Sequence, residues 1–440
     1  MPDGDRQLPL VALIGRPNVG KSTLFNRLVG ERSAVVEPQP GTTRDRIYGE
    51  LEWRGRAFAV VDTAGIAWHD PAPVAEAAVA QARAAADEAD LVLVVTDVQT
   101  GVTELDGIVA REVLRRQRPH LLVVNKADHM DLRLDTGEFY ALGLGEPAAI
   151  SAMHGTATGD LLDAVAARLP AVAYTGEPDE LPRLAIVGRP NVGKSSLLNA
   201  LLGETRALVH DAPGTTRDSI DTLLEWEGRS IRLIDTAGIR RRGHIDSGVE
   251  YHSVLRAVRS IQRCDVGLLV VDAHEGATAQ DAHVAGLVLE AGKGIVVLAN
   301  KWDMLQDPER RKEVDFHLER VLHFLPEAPF LHTSALTGRG VPASVSAGLQ
   351  VHEVRQTRVA TGPLNRFLRA WAGRRGPPSR KGRQARFKYA TQIGVSPPSF
   401  VTFFARPENV HPSYVRYLEN GLREAFGFDG TPIVIRLRPS

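Results

Sequence analysis

Short runs of consecutive apolar residues alternate along the chain with stretches in which apolar residues recur every three or four positions. Runs of the first kind are typical of parallel strands buried on both faces, and stretches of the second kind are typical of amphipathic helices. The pattern predicts an α/β fold, with a mostly parallel sheet, helices on both faces and ligands at the carboxyl ends of the strands. The predicted strands are residues 10–14, 58–61, 91–96, 121–124, 184–187, 231–234, 266–271 and 295–298.

The first part of this pattern occurs twice. The sequences GRPNVGKS (15–22), PGTTRD (40–45), LEWRGR (51–56) and DTAGI (62–66) return 173 residues later, with LEWEGR in place of LEWRGR. NKAD at 125–128 returns as NKWD at 300–303, displaced by 175. A repeat of this length indicates a duplicated domain rather than a short-period solenoid.

Each GRPNVGKS follows a predicted strand and precedes a predicted helix, which is the context of a phosphate-binding loop. Glycines let the backbone curl so that its N–H groups point at phosphate oxygens. Lys21 and Lys194 are then expected to reach the β- and γ-phosphates, and Ser22 and Ser195 to bind Mg²⁺. The predicted loop residues are Gly15, Arg16, Pro17, Asn18, Val19, Gly20, Lys21 and Ser22, and Gly188, Arg189, Pro190, Asn191, Val192, Gly193, Lys194 and Ser195.

The DTAGI segments follow predicted strands, so their carboxylates suit Mg²⁺, held directly or through water. A backbone N–H at the glycine could bind the γ-phosphate. The predicted residues are Asp62, Thr63, Ala64, Gly65 and Ile66, and Asp235, Thr236, Ala237, Gly238 and Ile239. Thr43 and Thr216 are candidates to complete the Mg²⁺ coordination, with the adjacent Thr42 and Thr215 as alternatives.

The NKxD segments predict the base. A carboxylate can accept hydrogen bonds from the ring N–H and the exocyclic amine of guanine, whereas adenine lacks this donor pair, so the predicted nucleotide is GTP or GDP rather than ATP. Two Ser-Ala pairs, each after an apolar run, could add a backbone contact to the guanine oxygen. The predicted residues are Asn125, Lys126, Asp128, Ser151 and Ala152, and Asn300, Lys301, Asp303, Ser334 and Ala335.

This set of motifs resembles that of the translation-factor-related GTPases. Two copies followed by a small basic domain with KYATQ at 388–392 resemble the Der (EngA) family of tandem GTPases, over nearly the whole chain. The resemblance implies GTP hydrolysis, maturation of the large ribosomal subunit with rRNA as a partner, and a KH-like third domain.

The resemblance also implies K⁺ beside the phosphates. Ile66 and Ile239 stand where signalling GTPases have a water-orienting glutamine, and an aliphatic side chain cannot polarise water. In similar GTPases the loop asparagine, here Asn18 or Asn191, holds K⁺ in the manner of an arginine finger. The alternative is that each asparagine is only a solvent-facing polar residue. We count Asn18, Lys21, Thr43, Asn191, Lys194 and Thr216 as the candidate catalytic residues.

The predicted domains are 1–173 and 183–355, both P-loop GTPase domains, joined by an acidic, proline-containing linker at 174–182 and followed by a basic α+β domain at 356–440. In the last domain the pattern predicts helix 363–371, strands 386–393 and 399–404, helix 414–426 and strand 433–437. A GxxG match at 373–376 lies between a helix and a strand, so we treat it as a coincidence. Phe400, Phe403, Phe404 and Phe426 are expected in the core.

The formal net charge of zero hides an asymmetry. Residues 358–440 contain 15 Lys and Arg but 4 Asp and Glu, whereas residues 1–357 contain 38 basic and 49 acidic residues. A basic domain on an acidic body suggests binding of a polyanion such as rRNA. The expected contacts are Arg374, Arg375, Arg380, Lys381, Arg383, Arg386 and Lys388. The alternative, compatible with the first, is docking on an acidic GTPase domain of the same chain. The run 240–242 (Arg-Arg-Arg) is expected to be a solvated segment, with RNA binding as an alternative.

The chain has 440 residues, 43% of them hydrophobic, and no apolar run near the roughly 18 residues of a membrane span. We expect no signal peptide, a cytoplasmic location and a monomer. Cys264 is the only cysteine, which excludes an intrachain disulfide, and it is expected to be a buried small residue. The leading hypothesis is a ribosome assembly factor. The alternatives are the GTPase component of an RNA-modification system and a scaffold with one silent GTPase copy.

Overall fold

A computed structural model of the chain describes residues 8–30, 48–63, 74–129, 132, 136–170, 181–203, 208–210, 221–236, 249–325, 327–377 and 385–440. The chain falls into two compact units, one built on the first repeat and one that holds the second repeat with the C-terminal residues. Residues 249–262, from the second repeat, are grouped with the first unit. Both PGTTRD segments, most of the predicted linker, the run 240–242 and the basic residues 380, 381 and 383 lie outside the described residues.

The first unit contains a six-stranded sheet. Its elements are β1 (Leu10–Ile14), α1 (Lys21–Gly30), β2 (Tyr48–Trp53), β3 (Arg56–Asp62), α2 (Val74–Glu88), β4 (Leu91–Asp97), α3 (Glu104–Arg115), β5 (His120–Asn125), a 3-10 helix (Gly137–Leu142), β6 (Pro147–Ala149) and α4 (Thr158–Arg168). The strand order is β2-β3-β1-β4-β5-β6. Only β2 is antiparallel to its neighbour. Every residue of β1 and β4 is buried, so the four strands predicted here from continuous apolar runs are confirmed.

The second repeat contains a seven-stranded sheet. Its elements are β7 (Arg183–Val187), α5 (Lys194–Gly203), β8 (Leu208–His210), β9 (Thr222–Trp226), β10 (Arg229–Ile234), α6 (Val249–Arg263), β11 (Val266–Asp272), α7 (Ala279–Glu290), β12 (Gly294–Asn300), a 3-10 helix (Trp302–Met304), α8 (Pro308–Val321), β13 (Phe330–His332) and α9 (Val341–Arg355). The strand order is β13-β12-β11-β7-β10-β9-β8. The pairs β8·β9 and β9·β10 are antiparallel and the rest are parallel. Cys264 is buried, as predicted.

The repeated LEWRGR and LEWEGR segments form hairpins that the apolar pattern did not predict. Strands β2 and β3 are joined by Arg54 and Gly55, with φ angles of 49° and 78°. Strands β9 and β10 are joined by Glu227 and Gly228, with φ angles of 50° and 79°. Two consecutive positive φ angles are typical of the type I′ turn, whose twist matches that of the flanking strands. The second strand of each hairpin leads to the DTAGI aspartate, which is the last residue of β3 in the first repeat and follows β10 in the second.

The C-terminal residues form a smaller α+β domain. Its elements are α10 (Thr361–Arg374), β14 (Arg386–Val395), β15 (Pro398–Ala405), a 3-10 helix (Pro407–Asn409), α11 (Pro412–Phe426) and β16 (Val434–Pro439), with strand order β14-β15-β16. The predicted α-β-β-α-β order is confirmed. Gly373 lies within α10 and Gly376 follows it, so the GxxG match joins no pair of helices.

One face of this small sheet packs against α10 and α11. The buried cluster includes Leu364, Leu418, Phe400 and Phe404, and Phe426 is partly buried against it. The prediction for Phe403 was wrong, because its side chain lies on the opposite face of the sheet from its neighbour Phe404. Successive side chains of a strand point to opposite faces, so these two phenylalanines cannot share one core.

The C-terminal domain is tied to the second repeat by a backbone hydrogen bond, and to the segment after α9 by the side chain of Gln392. The backbone N–H of Ile295, near the start of β12, donates to the carbonyl of Gly430 over 2.8 Å. The side chain of Gln392 in β14 donates to the carbonyl of Thr357 and accepts from the N–H of Val359, over 3.0 and 2.7 Å. The segment after α9 is therefore fixed to the small sheet, and the small domain is fixed to one end of β12.

Candidate nucleotide-binding sites

The GRPNVGKS segments form the same tight loop in both repeats. In the first, the loop leaves β1 after Ile14 and α1 begins at Lys21; in the second, it leaves β7 and α5 begins at Lys194. Gly15 and Gly20 have φ angles of 146° and 90°, and Gly188 and Gly193 of 145° and 99°. A Cβ on Gly15 would collide with the carbonyl oxygen of Val95, and the same holds for Gly188 against Val270. A side chain therefore does not fit at the start of either loop.

The middle of each loop is also left-handed. Asn18 and Asn191 both have a φ of 66°, and both are exposed. Pro17 is exposed and Pro190 is partly exposed, whereas Val19 and Val192 are fully buried beneath the loop. Loops of this shape make a concave nest of backbone N–H groups that attracts anions. The phosphate-binding prediction thus has the geometry that it requires in both repeats.

The loop lysines fold back over their own loops. Lys21 Nζ donates to the carbonyls of Gly15 and Arg16 over 2.6 and 2.8 Å. Lys194 Nζ donates to the carbonyl of Gly188 over 2.7 Å. Burial lowers the pKa of Lys21 to about 8, against the opposing effect of the Asp62 carboxylate. Each ammonium is therefore held at the mouth of a nest where phosphate would bind.

A hydroxyl and a carboxylate meet beside the first loop. Ser22 Oγ donates to Asp62 Oδ2 over 2.5 Å, and Asp62 is the last residue of β3. Two hard oxygen ligands at this distance fit Mg²⁺, which keeps several waters and binds nucleotide phosphates. In the part of the chain that the structure describes, no group of three or more His, Cys, Asp or Glu could hold a metal ion.

The second repeat differs at the same place. Asp235 follows β10 rather than ending it, and its φ is 56°. Its backbone N–H donates to Asp221 Oδ1 over 2.9 Å, and Arg263 forms an ion pair with the same Asp221. Ser195 is the second residue of α5, as Ser22 is of α1. The backbone at Asp62 and Asp235, the two aspartates predicted to bind Mg²⁺, is therefore not equivalent, although the sequences of the two segments are identical.

The threonines of the DTAGI segments are buried next to these aspartates. Thr63 Oγ1 donates to the carbonyl of Leu13 over 2.6 Å. Thr236 Oγ1 lies 2.7 Å from Thr222 Oγ1. Both threonines therefore hold the ends of their strands. The remaining predicted residues of this region lie outside the described residues: Thr43, Ala64, Gly65 and Ile66, and Thr216, Ala237, Gly238 and Ile239.

The NKxD asparagines connect the phosphate loop to the predicted base loop. Asn125 Nδ2 donates to the carbonyl of Val19 over 2.8 Å, and its Oδ1 accepts from the N–H of Ala152 over 3.0 Å. In the second repeat Asn300 makes the same pair of bonds, to the carbonyl of Val192 and the N–H of Ala335. Their side chains are thus used for bracing, which the motif alone did not reveal.

The NKxD lysines pair with carboxylates that the sequence analysis missed. Lys126 Nζ lies 2.7 Å from Asp97 Oδ2, and Lys301 Nζ lies 2.5 Å from Asp272 Oδ2. Both aspartates are buried, at the ends of β4 and β11. They are displaced by 175 residues, as the NKxD segments are, so this spacing was a signal that could have found them.

The base-loop carboxylates differ between the repeats. Ser151 Oγ donates to Asp128 Oδ1 over 2.5 Å, so the first carboxylate is held by the buried serine of the predicted Ser-Ala pair. Asp303 is exposed, and Ser334 Oγ accepts from the N–H of Thr337 over 3.1 Å. The structure thus brings Asp128 and Ser151 together, and places Asp303 at the corresponding position with its side chain toward solvent.

The arginines of the two phosphate loops form ion pairs with the first turns of helices α3 and α7. Arg16 Nε lies 3.4 Å from Asp106 Oδ2, and Arg189 Nε lies 3.2 Å from Asp281 Oδ2. Each aspartate is also the third residue of its helix, where it forms a capping box with the threonine before the helix. The carboxylate that caps the N-terminus of α3 or α7 therefore also holds the arginine of the phosphate loop. The sequence analysis did not assign this role.

These features define a class of protein. Two domains with mostly parallel sheets each carry a phosphate loop, a DTAGI aspartate at the end of a strand or directly after it, and an NKxD segment at the carboxyl edge of the sheet, which together are the parts of a P-loop GTPase. The chain is a tandem GTPase, with a small α+β domain at its C-terminal end.

Comparisons with known proteins agree. A family model described as 50S ribosome-binding GTPase matches residues 10–126 and again 183–301, and one described as the KH-domain-like C-terminal domain of EngA bacterial GTPases matches 358–438. The GTPase Der of Herpetosiphon aurantiacus is 50% identical over 436 residues, covering 97% of this chain and 96% of the relative. That of Moorella thermoacetica is 50% identical over 433 residues, covering 98% of both.

The chain belongs to the GTPase Der family, and it is a GTP-hydrolysing enzyme that binds GTP and GDP. Its third domain is KH-like. Among the described residues, no helix is both long enough and apolar enough to span a lipid bilayer.

Proposed function

We propose that this GTPase is an assembly factor of the large ribosomal subunit, in which the two GTPase domains control the engagement of a KH-like domain with rRNA. We divide the chain as in the sequence analysis, with GTPase domains at 1–173 and 183–355, a linker at 174–182 and the KH-like domain at 356–440. Because its target is the ribosomal subunit, the protein acts in the cytoplasm.

The observation that carries the proposal is the charge of the KH-like domain. The described exposed basic side chains are Arg358, Arg366, Arg369, Arg374, Arg375, Arg386, Lys388, Arg406, Arg416 and Arg438. None of these makes an ion pair with a described acidic residue; Arg374 lies over the ring of Trp371, 5.0 Å from its centroid. Unpaired basic groups of this density favour contact with phosphates, since each contact releases a counterion from the nucleic acid.

At each nucleotide site we propose the following roles. Lys21 and Lys194 bind the β- and γ-phosphates, and Ser22 with Asp62, and Ser195 with Asp235, hold Mg²⁺, which Thr43 and Thr216 complete in the GTP state. Asp128 and Asp303 bind the guanine edge. These roles are supported by the nests, the Ser22–Asp62 contact and the placement of the carboxylates at the same edge of the sheet.

We further propose that Asn18 and Asn191 each hold K⁺ beside the phosphates. Their side chains are exposed at the turn of the loop, where a neutral oxygen could face the bound nucleotide. The absence of a glutamine at Ile66 and Ile239 leaves the transition state in need of another source of positive charge.

Cosedimentation of the full chain with purified ribosomal subunits tests the proposal. The full chain is expected to sediment with the large subunit in one nucleotide state, a non-hydrolysable GTP analogue or GDP, and to bind less in the other. The variant Arg374→Glu/Arg375→Glu/Arg386→Glu should lose binding, whereas the matched variant Arg310→Glu/Lys312→Glu, on an exposed helix of the second repeat, should retain it. Equal binding to small and large subunits, or none to either, would contradict the proposal.

A further inference from the structure

The sheet of the KH-like domain has a second face, on the side opposite α10 and α11, where the side chains are exposed or partly exposed in the described part of the chain; we call it the open face. The pairing of β14, β15 and β16 places Tyr389, Phe403 and Arg438 side by side in one row across the three strands. The next row consists of Thr391, Val401 and Arg436. Residues that are paired across strands lie on the same face of a sheet. These two rows therefore share the face on which Phe403 lies.

Two aromatic rings stand on this open face. The ring centroids of Tyr389 and Phe403 are 6.2 Å apart, and the ring planes are tilted by 41°. Tyr389 is 42% exposed and Phe403 is partly exposed, whereas Thr402 and Phe404, on the other face of the same strand, are fully buried. The pair thus lies outside the core, and part of its apolar surface, mostly that of Tyr389, is exposed.

The charge of this face is entirely positive. Arg438 is exposed on β16, at the end of the row that contains Tyr389 and Phe403. Arg386 pairs with Ala405 in the neighbouring row of the same face and is also exposed. The extra residue in a β-bulge next to Tyr389 is Lys388, which is also exposed. No acidic residue occurs in any of the cross-strand rows of these three strands. A flat aromatic surface bordered by cations complements a chain of bases and phosphates.

We propose that this open face binds single-stranded RNA, with unpaired bases stacked on Tyr389 and Phe403 and with phosphates held by Arg438 and Arg386. The inference rests on the proposed function and specifies the surface that performs it. Sheets that present exposed aromatic side chains can stack two or three bases. Double-stranded RNA fits poorly, since its bases are stacked on one another and cannot reach the rings.

The test uses the full chain and a single-stranded oligoribonucleotide that carries 2-aminopurine, whose fluorescence falls when it stacks. Tyr389→Ala should weaken binding about fivefold or more and restore the fluorescence, without changing the slope of log affinity against log salt. Arg438→Gln should reduce that slope by about 0.7. Tyr140→Ala, at a tyrosine that is 56% exposed in the first unit, and Arg310→Gln, in α8, are the matched controls and should bind as the unmodified protein does.

Two further measurements make the outcomes separable. Tyr389→Leu keeps an apolar side chain on the strand but has no ring, so it should bind as weakly as Tyr389→Ala with an unchanged melting temperature. A blunt-ended, fully paired RNA duplex should bind Tyr389→Ala and the unmodified protein equally, because it contacts only the cations.

Equal binding of single-stranded RNA by Tyr389→Ala and Tyr140→Ala would overturn the proposal that bases stack on the open face, while leaving the proposed function in place. Loss of subunit cosedimentation by Tyr389→Ala without loss of RNA binding would also overturn it, since the face would then contact a ribosomal protein. If the unmodified chain binds neither single-stranded RNA nor ribosomal subunits, both the proposed function and the proposed RNA-binding role of the open face are wrong.

Discussion

Asn125 donates a hydrogen bond from Nδ2 to the backbone carbonyl of Val19, which lies 106 residues earlier in the chain. The same side chain accepts from the N–H of Ala152, so a single amide ties the phosphate loop to the loop that is expected to hold the base. A Cβ on Gly20 would collide with this amide, which shows how closely the two loops approach.

We expect Asn125→Asp to lose GTP affinity in the first domain. The carboxylate can still accept from Ala152, but it faces the carbonyl of Val19 without a proton to donate. Removing a donor from a buried pair costs about 1–3 kcal/mol, or roughly 5- to 150-fold if it is expressed in binding. The GTP affinity of the first domain is measured by nucleotide titration of the full chain, with the second site disabled by Lys194→Ala. Unchanged affinity would mean that the brace does not support nucleotide binding; Asn300→Asp should act on the second domain alone.

Asp128→Asn and Asp303→Asn should each turn their own domain from GTP toward xanthosine triphosphate, because an amide can pair with the carbonyl that xanthine has in place of the guanine amine. The measurement is competition between the two nucleotides at each site. Ser151→Ala serves as a graded control in the first domain, since it releases the Asp128 carboxylate without changing its charge. Retention of full GTP preference by both asparagine variants would remove the guanine assignment.

Hydrolysis should be faster in KCl than in NaCl at equal ionic strength. An arginine finger raises the hydrolysis rate by about 10³ to 10⁵, and a monovalent cation in the same place should give a smaller part of that. Asn18→Ala and Asn191→Ala should each reduce the difference in their own domain. Ionic strength is matched because salt alone screens every charged site. If both domains hydrolyse GTP equally fast in the two salts, these asparagines do not hold K⁺.

Asp281→Asn should loosen the second phosphate loop. Its Oδ2 accepts from the N–H and the hydroxyl of Thr278 and pairs with Arg189 Nε. The amide preserves size but loses the charge, so we expect the capping of α7 to weaken by about 1 kcal/mol. Thermal unfolding measures the loss of stability. The rate of mant-GDP dissociation from the second domain reports how firmly the phosphate loop is held, and it should rise. Asp307→Asn, at the start of α8, is a cap without contact to a loop arginine and should leave the dissociation rate unchanged.

The sequence was sufficient to predict the parallel strands because strands such as β4 and β11 are buried throughout and therefore appear as uninterrupted apolar runs. It was sufficient for the phosphate loops because only glycine fits where Gly15 and Gly188 approach neighbouring carbonyls. It missed the hairpins, whose turns use Arg-Gly and Glu-Gly instead of the more familiar Asn-Gly. A closer reading of the period-2 pattern in β15 would have separated Phe403 from Phe404.

The bracing asparagines could not have been assigned from the motif. Asn125 and Asn300 stand next to residues with a role toward the base, and nothing in their spacing distinguishes a ligand from a cross-link. Their bonds depend on how closely the loops after β1 and β5, or after β7 and β12, approach in the folded sheet. The difference between Asp62 and Asp235 was equally inaccessible, because it depends on the backbone φ angle of one residue in two identical segments.

Strand β12 has a mechanical consequence. Its seven residues span roughly 20 Å. Near one end Ile295 is hydrogen-bonded to Gly430 of the KH-like domain, and at the other end Asn300 is hydrogen-bonded to Val192 of the phosphate loop. The strand is hydrogen-bonded to β11 on one side and to β13 on the other. The nucleotide site of the second repeat and the KH-like domain are therefore joined through a single strand, and a displacement of Asn300 by nucleotide would have a direct covalent route to the Gly430 contact.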